Sequence, residues 1–181
     1  MNTDEKYGRR DLLKAAGASA LLAAAATASR DGFAPASAAA NAKPDDLCYA
    51  SATELVRLMR TRKVSAREVM SAHLARIASW NPKVNAIVSK LDDAKCLALA
   101  DEADKRAARG RDTLPPLHGL PTAFKDLQPA VGFPWTRGSP IYKTAMPTAD
   151  SLFVERLRKA GALPIGKTNT PEFGKIGRAH V

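Results

Sequence analysis

Leu117-His118-Gly119-Leu120-Pro121-Thr122-Ala123-Phe124-Lys125-Asp126 is a short apolar run that closes on a cation and an anion. Gly119 to Phe124 reads as a strand bounded by turn residues. Side chains alternate across a strand, so Lys125 and Asp126 cannot point the same way if the strand reaches that far. An ammonium at the inner end of an apolar strand must pair, snorkel or give up its proton. A lysine that gives up its proton near neutral pH is a usable general base. The residues alone leave two readings of Lys125 open. It is a base, or it is a structural cation paired with Asp126 or with a helix C-terminus at the sheet edge.

Downstream of this strand, Val131 to Pro147 is a loop rich in Gly and Pro, long enough to suggest a functional role. Ala149-Asp150 then opens a helix with Leu152, Val154, Leu157 and Ala160 as its packed positions, and Gly161 ends it. Ala162 to Ile165 is a second strand, and Gly166-Lys167-Thr168-Asn169 is expected to turn off its end. Gly161 to Thr168 matches the spacing of a phosphate-binding loop. Its inner positions are Ala, Leu, Pro and Ile, which suit a buried strand, and Pro164 has no N–H to offer phosphate. Nucleotide binding is therefore not expected.

Upstream, Ser51-Ala-Thr-Glu54 and Ser65-Ala-Arg-Glu68 are capping boxes that open two helices. Leu55, Leu58 and Met59 form the apolar face of the first. Val69, Ala72, His73, Ile77 and Trp80 form that of the second, which Asn81-Pro82 is expected to stop. His73 has no second ligand at helical spacing and reads as a packed or surface histidine. Val84 to Val88 is strand-like, and Leu91 to Arg109 is a long helix closed by Gly110. Helix, strand, helix, strand in this order argues for an α/β layer with a largely parallel sheet.

The 181 residues allow one ordinary domain at most, and 45% apolar content allows a packed core. The net charge of +10 does not by itself indicate nucleic acid. Arg57, Arg60, Arg62, Lys63 and Arg67 are scattered over helical stretches with few aromatics between them, as on a solvated face. Cys48 and Cys96 have no metal-ligand spacing, so neither a metal nor a cofactor is expected. A single disulfide after export and two buried thiols both remain open.

Residues 1–42 read as an address. Gly8-Arg9-Arg10-Asp11-Leu12-Leu13-Lys14 sets two arginines before an apolar step. The Ala/Leu stretch from Ala15 to Ala28 follows, then small-x-small sites such as Ala36-Ser37-Ala38 and Ala40-Asn41-Ala42. Charge, apolar region and cleavage site come in the order of a secretory signal. Arg9 and Arg10 resemble the pair of the twin-arginine signal, which exports folded proteins. The apolar stretch is short of the ~20 strongly apolar residues of a stable span, so no membrane span is expected after cleavage. Cys48 lacks a preceding lipobox-like triplet. The expectation is a periplasmic or secreted bacterial protein, with the twin-arginine export machinery as a partner.

His118-Gly-Leu-Pro-Thr-Ala-Phe-Lys125-Asp126 resembles the "HGxPxxxKD" segment of the amidase signature family. Thr136-Arg-Gly-Ser139 is similar to that family's "T-x-GS". Asp150 through Leu157, Gly161-Ala162 and Gly166-Lys-Thr-Asn-Thr-Pro-Glu-Phe-Gly174 resemble its "D-x-x-x-V-x-x-L-x-x-AGA…GKTN-x-x-EF". The helical opening with Asn81-Pro-x-x-Asn85-Ala86 also resembles the family. The resemblance runs from about Ala50 to Gly174. It implies the N-terminal part of the family's α/β/α fold over residues 43–174, with a mixed, largely parallel sheet covered by helices. It also implies a Ser–cis-Ser–Lys amidohydrolase acting on a small-molecule amide. Lys125 would be the base that draws a proton, through a bridging serine, from the serine that attacks the carbonyl. Thr168 and Asn169 would support the active site.

The family's "GGSSGG" segment, which carries both serines, has no counterpart in residues 1–181, and Ser139 belongs to an earlier block. This chain alone is therefore expected to be inactive. Ile176-Gly-Arg-Ala-His-Val181 departs from the family pattern and equals the peptide that a common sequencing adapter encodes, so residues 175–181 are expected to be a non-native tail. Two rivals remain. One is a non-catalytic binding module on the same scaffold. The other is a protein like the amide-cleaving component of glutamyl-tRNA amidotransferase, against which the export signal argues because charged tRNA is cytosolic.

Overall fold

A computed structural model describes residues 44–110 and 113–175. Arg9, Arg10, the rest of the proposed signal and residues 176–181 lie outside the described residues.

The N-terminal half is helical, and cap chemistry sets most of its starts. A short helix, α1, spans Pro44–Tyr49, and α2 follows over Ala52–Arg60. Ser51 Oγ accepts from Glu54 N at 3.2 Å and opens α2. Helix α3, Ala66–Val84, opens with a complete capping box. Ser65 Oγ accepts from Glu68 N at 3.0 Å, and Glu68 Oε2 accepts from Ser65 N at 2.8 Å. Asp104 adds a clamp from the neighbouring helix, accepting from Ala66 N at 2.7 Å and Arg67 N at 3.0 Å. Those N–H groups have no partner within their own helix, so a carboxylate there satisfies two donors and meets the positive end of the helix dipole.

Asn81-Pro82 does not stop α3. The helix runs through Pro82 to Val84, and the stop is Asn85 in the left-handed region at φ 46, with its N–H on Asn81 O at 2.7 Å. A proline in the last turn removes one hydrogen bond without ending the helix. Asn81 serves a different purpose. Its side chain accepts from Ile87 N at 2.8 Å and donates to Ile87 O at 2.9 Å, which pins the helix end to the first strand.

That strand, β1, spans Ile87–Lys90 and leads into α4, Asp93–Arg109. Strand β2 covers Pro121–Lys125, α5 covers Leu152–Lys159, and β3 covers Leu163–Thr168. Short 3₁₀ turns lie at Pro140–Tyr142 and Glu172–Gly174. The sheet is three-stranded and mixed, in the order β1-β3-β2. β3 runs parallel to β2 and antiparallel to β1. The architecture is therefore α/β, as expected, and one of its two strand pairings is antiparallel.

β3 reaches three residues further than the sequence suggested. Gly166, Lys167 and Thr168 are strand residues paired with β1 and β2 and do not form a turn. A Cβ on Gly166 would lie 2.4 Å from Ser89 O, so the glycine allows β1 to approach this closely. The same pairing explains why Gly161 to Thr168 is no phosphate loop, since the N–H groups such a loop would offer belong to a buried central strand.

Two apolar clusters hold the layers. Leu55, Met59, Val69, Met70, Cys96, Ala100 and Ile165 join the helices α2, α3 and α4 to one part of the sheet. Phe124, Ala130, Phe133 and Val154 join α5 and the long loop to the other. Burying a side chain such as Val69 or Phe124 contributes about 1.5–3 kcal/mol. Val154 is buried as expected, whereas Leu152 is 61% exposed and Trp80 is 50% exposed. Leu152 is the first residue of its helix, and Trp80 lies one turn before the end of α3 with Arg76 and Lys83 over its ring. Cys96 is buried, Cys48 is half-buried, and no disulfide joins them. Among the described residues no helix is long and apolar enough to cross a membrane.

His118 lies under the turn that precedes β2. It is buried, and its ring Nε2–H donates to Ala103 O at 3.0 Å. Burial pushes the imidazole below its ordinary value, partly offset by that hydrogen bond. A depressed imidazole resists protonation in the folded state only. Its stabilising contribution is full above the unfolded value of about 6.5 and is lost as pH falls towards the folded value. Lowering the pH from about 7.5 to about 5 should therefore destabilise the wild-type chain more than a His118→Gln variant, in urea titrations at each pH. Parallel stability curves for the two proteins would refute this.

Candidate active site

Strand alternation decides the site. Phe124 is buried, Lys125 is exposed and Asp126 is buried again. In the parallel pair, Phe124 stands opposite Lys167, and Lys125 stands opposite Thr168. Paired residues share a face, so Phe124, Asp126 and Lys167 lie on one side of the sheet and Lys125 and Thr168 on the other. The buried lysine of this region is Lys167. The expected burial of Lys125 is corrected on this point, because the buried face of the strand end is that of Phe124 and Asp126, and Lys125 lies on the other.

Lys167 is 0% exposed and Asp126 2%. Lys167 Nζ lies 3.1 Å from Asp126 Oδ1 and donates to Gln128 O at 2.6 Å. Burial pulls the Lys167 ammonium below its ordinary value, and the hydrogen bond and charge of Asp126 act the other way. Asp126 also accepts from Thr136 N at 3.3 Å and from Thr136 Oγ1 in a short hydrogen bond. Its own N–H donates to Thr168 O at 3.0 Å. β3, through Lys167, and the loop, through Thr136, thus converge on one carboxylate next to Lys125.

Lys125 itself ends β2 with its side chain free to reach outward. Nζ donates to Asn169 O at 3.5 Å, at the weak limit of a hydrogen bond, and no carboxylate pairs with it among the described residues. Of the two readings left open above, the pairing with Asp126 is excluded: Asp126 belongs to Lys167.

Thr168, expected in a turn, is a strand residue, and it and Asn169 lie beside Lys125. Thr168 is the last residue of β3 and stands opposite both Lys125 and Ile87. Asn169 N donates to Ala86 O at 2.8 Å, and its Nδ2 donates to Asn85 O at 3.3 Å. Its Oδ1 accepts from Thr170 N at 2.8 Å. Asn169 is therefore the knot between the end of α3, the end of β3 and Lys125, and its main-chain oxygen is what Lys125 touches.

The loop after β2 closes over this end. Ser139 is buried, and its hydroxyl donates to Glu172 at 2.6 Å. Gly138 has φ 71, and a Cβ there would meet Thr170 O at 2.5 Å, so the loop and the segment after β3 lie in direct contact. Ser139 is spent on this contact and is not placed as a nucleophile. The roles of Asp126, Thr136 and Glu172 were missed from the sequence. A cleft of about 380 Å³, lined in part by Glu102, Arg106, His118 and Arg158, opens elsewhere and does not include Lys125. Among the described residues no group of three or more His, Cys, Asp or Glu side chains could hold a metal ion.

The family model described as Amidase matches residues 68–180, which covers β1 to β3 and the whole of the Lys125 site. The chain belongs to the amidase signature family. Among curated relatives of this family, it is 40% identical over 138 residues to mandelamide hydrolase of Pseudomonas putida, covering 75% of this chain and 27% of that protein. It is 37% identical over 132 residues to acylamidase of Rhodococcus erythropolis, covering 73% and 27%. It is 41% identical over 128 residues to a component of the glutamyl-tRNA(Gln) amidotransferase of Acidothermus cellulolyticus, covering 71% and 25%. Of solved structures, peptide amidase from Stenotrophomonas maltophilia superposes with a TM-score of 0.62 at 30% identity, over 69% of this chain and 26% of that one. The chain thus spans about a quarter of the length of the relatives it matches.

Proposed function

We propose that this amidase-signature chain is the N-terminal part of an exported amidohydrolase that cleaves the carbon–nitrogen bond of a small linear carboxamide. Lys125 acts as the base. It draws a proton through a bridging serine from a nucleophilic serine, which attacks the carbonyl and forms an acyl-enzyme that water then hydrolyses. Both serines come from a segment that residues 1–181 do not contain. Thr168 and Asn169 support the site by fixing the end of β3 against β2. No cofactor takes part in this scheme.

One observation carries the assignment of Lys125. In the "KD" pair the aspartate is consumed by Lys167, while Lys125 points to the opposite face with a single weak hydrogen bond to a main-chain oxygen. A proton-transfer group has to be held in place yet left open to its reaction partner, and this lysine meets both conditions.

Arg9-Arg10 and the apolar stretch after it support export by the twin-arginine route to the periplasm or beyond. The likeness to the amidotransferase component supports a second reading, transfer of ammonia from an amide, with which an export signal is at odds.

The test is hydrolysis by the complete gene product. Purified protein is offered a panel of simple aliphatic and aromatic primary amides, with ammonia release as the readout. Release that an active-serine phosphonate abolishes is the expected result. No release from any amide, or release only with an aminoacyl-tRNA acceptor present, would overturn the proposal.

A further inference from the structure

Arg137 stands at the carboxyl end of the parallel strands in a strained conformation. Its φ is 57, in the left-handed region that a long side chain rarely adopts. The guanidinium carbon lies 3.8 Å from the centre of the Trp135 ring and 4.7 Å from that of Tyr142. Both rings are fixed. Trp135 Nε1–H donates to Leu127 O at 3.1 Å, and Tyr142 packs edge-on against Phe173 with centres 6.0 Å apart. Arg137 Nε is buried without a hydrogen-bond partner. The carboxylate of the adjoining turn, Glu172, accepts from Ser139 instead.

The turn that carries Arg137 is tied to the Lys125 site from both sides. Its neighbour Thr136 bonds Asp126, the residue after Lys125. Arg137 O accepts from Phe173 N at 2.8 Å, on the segment that leaves Asn169. In open α/β sheets, ligands bind beyond the carboxyl ends of the strands, which is where this turn lies.

We propose that Arg137 is a specificity residue that binds a carboxylate carried by the amide substrate. This rests on the reading that amide cleavage takes place at Lys125. A guanidinium offers a planar fork of donors that matches a carboxylate in two parallel hydrogen bonds. The Trp135 and Tyr142 rings orient that fork before a ligand arrives, so less freedom is lost on binding.

The probes are succinamate, an amide with a carboxylate, and butyramide, its uncharged analogue. Trp135 is the reporter. Residues 1–181 hold two tryptophans, so in the complete protein Trp80→Phe, with any tryptophan outside these residues also replaced by Phe, leaves Trp135 as the sole source of tryptophan fluorescence. In that background, succinamate should give a saturable change in emission, butyramide should give none, and Arg137→Met should abolish the response. Arg137→Lys keeps the charge but loses the fork, and should weaken binding several-fold. No saturable change, an equal response to butyramide, or an unchanged response in Arg137→Met would each overturn the proposal. This readout needs no turnover, so a failure of amide cleavage is seen separately. A second measurement covers poor folding of a variant. In the complete enzyme, the ratio of kcat/KM for succinamate to that for butyramide should fall by about tenfold or more in Arg137→Met, through KM. An unchanged ratio would refute the assignment.

Discussion

Replacing Lys125 by alanine in the complete protein should lower kcat/KM for its amide by about 10²–10⁴-fold, the range that a positioned proton-transfer group contributes. The fold should survive. Lys125 is exposed, its single hydrogen bond is at the weak limit, and the buried face of β2 belongs to Phe124 and Asp126. Surface substitutions of this kind change stability by about 0.5 kcal/mol or less. A large loss of activity with an unchanged melting temperature is therefore the expected signature. Near-normal rates would show that Lys125 is not the base, and a large drop in stability would show that its role is structural.

The opposite signature belongs to the pair on the other face. Asp126→Ala would leave the Lys167 ammonium buried without its counter-ion, and would release Thr136 and the loop behind it. Removing one partner of a buried pair costs about 3–5 kcal/mol. Lys167→Met alone should be nearly as harmful, since it strands Asp126. The double variant Asp126→Ala with Lys167→Met should recover part of the loss, because replacing both charges by apolar groups removes the stranded one. Urea unfolding of the four proteins forms the cycle. Additive losses would mean that the two side chains do not depend on each other.

This division of labour was half legible in the sequence. The alternation that sets Lys125 and Asp126 on opposite faces is local, and it held. Which face is buried is not local. Pro121 to Phe124 is apolar on both sides, and only the docking of α5 and Phe133 against Phe124 decides that Asp126 goes inward. A buried carboxylate needs a partner, and the partner lies on another strand, where the sequence suggested a turn. Lys167 was read as part of that turn because Gly166 looked like a strand end. The pairing of β1 with β3 keeps Gly166 extended, and nothing near Gly166 in sequence signals it.

The helix starts were legible for the converse reason. Ser51 with Glu54 and Ser65 with Glu68 lie within four residues of each other, so both helix starts are where they were read; the box is complete only at Ser65, since the Glu54 carboxylate turns to Arg57. The end of α3 was misplaced because Pro82 is an obvious breaker while Asn85 is a subtler one. Asn81 and Asn85 gained their meaning only with Ile87 and Asn169 in place. That is also why the Asn81 to Ala86 block matters to the site. It anchors Asn169, against whose carbonyl oxygen Lys125 rests.

The most direct measurement is the first turnover. The complete protein is mixed with an amide substrate, quenched on the millisecond-to-second scale and weighed intact. The wild type should gain the mass of the acyl group on a serine, and Lys125→Ala, folded to the same stability, should gain none on that scale. An adduct that forms on the Lys125→Ala protein at the wild-type rate would contradict the assignment of Lys125 as the base.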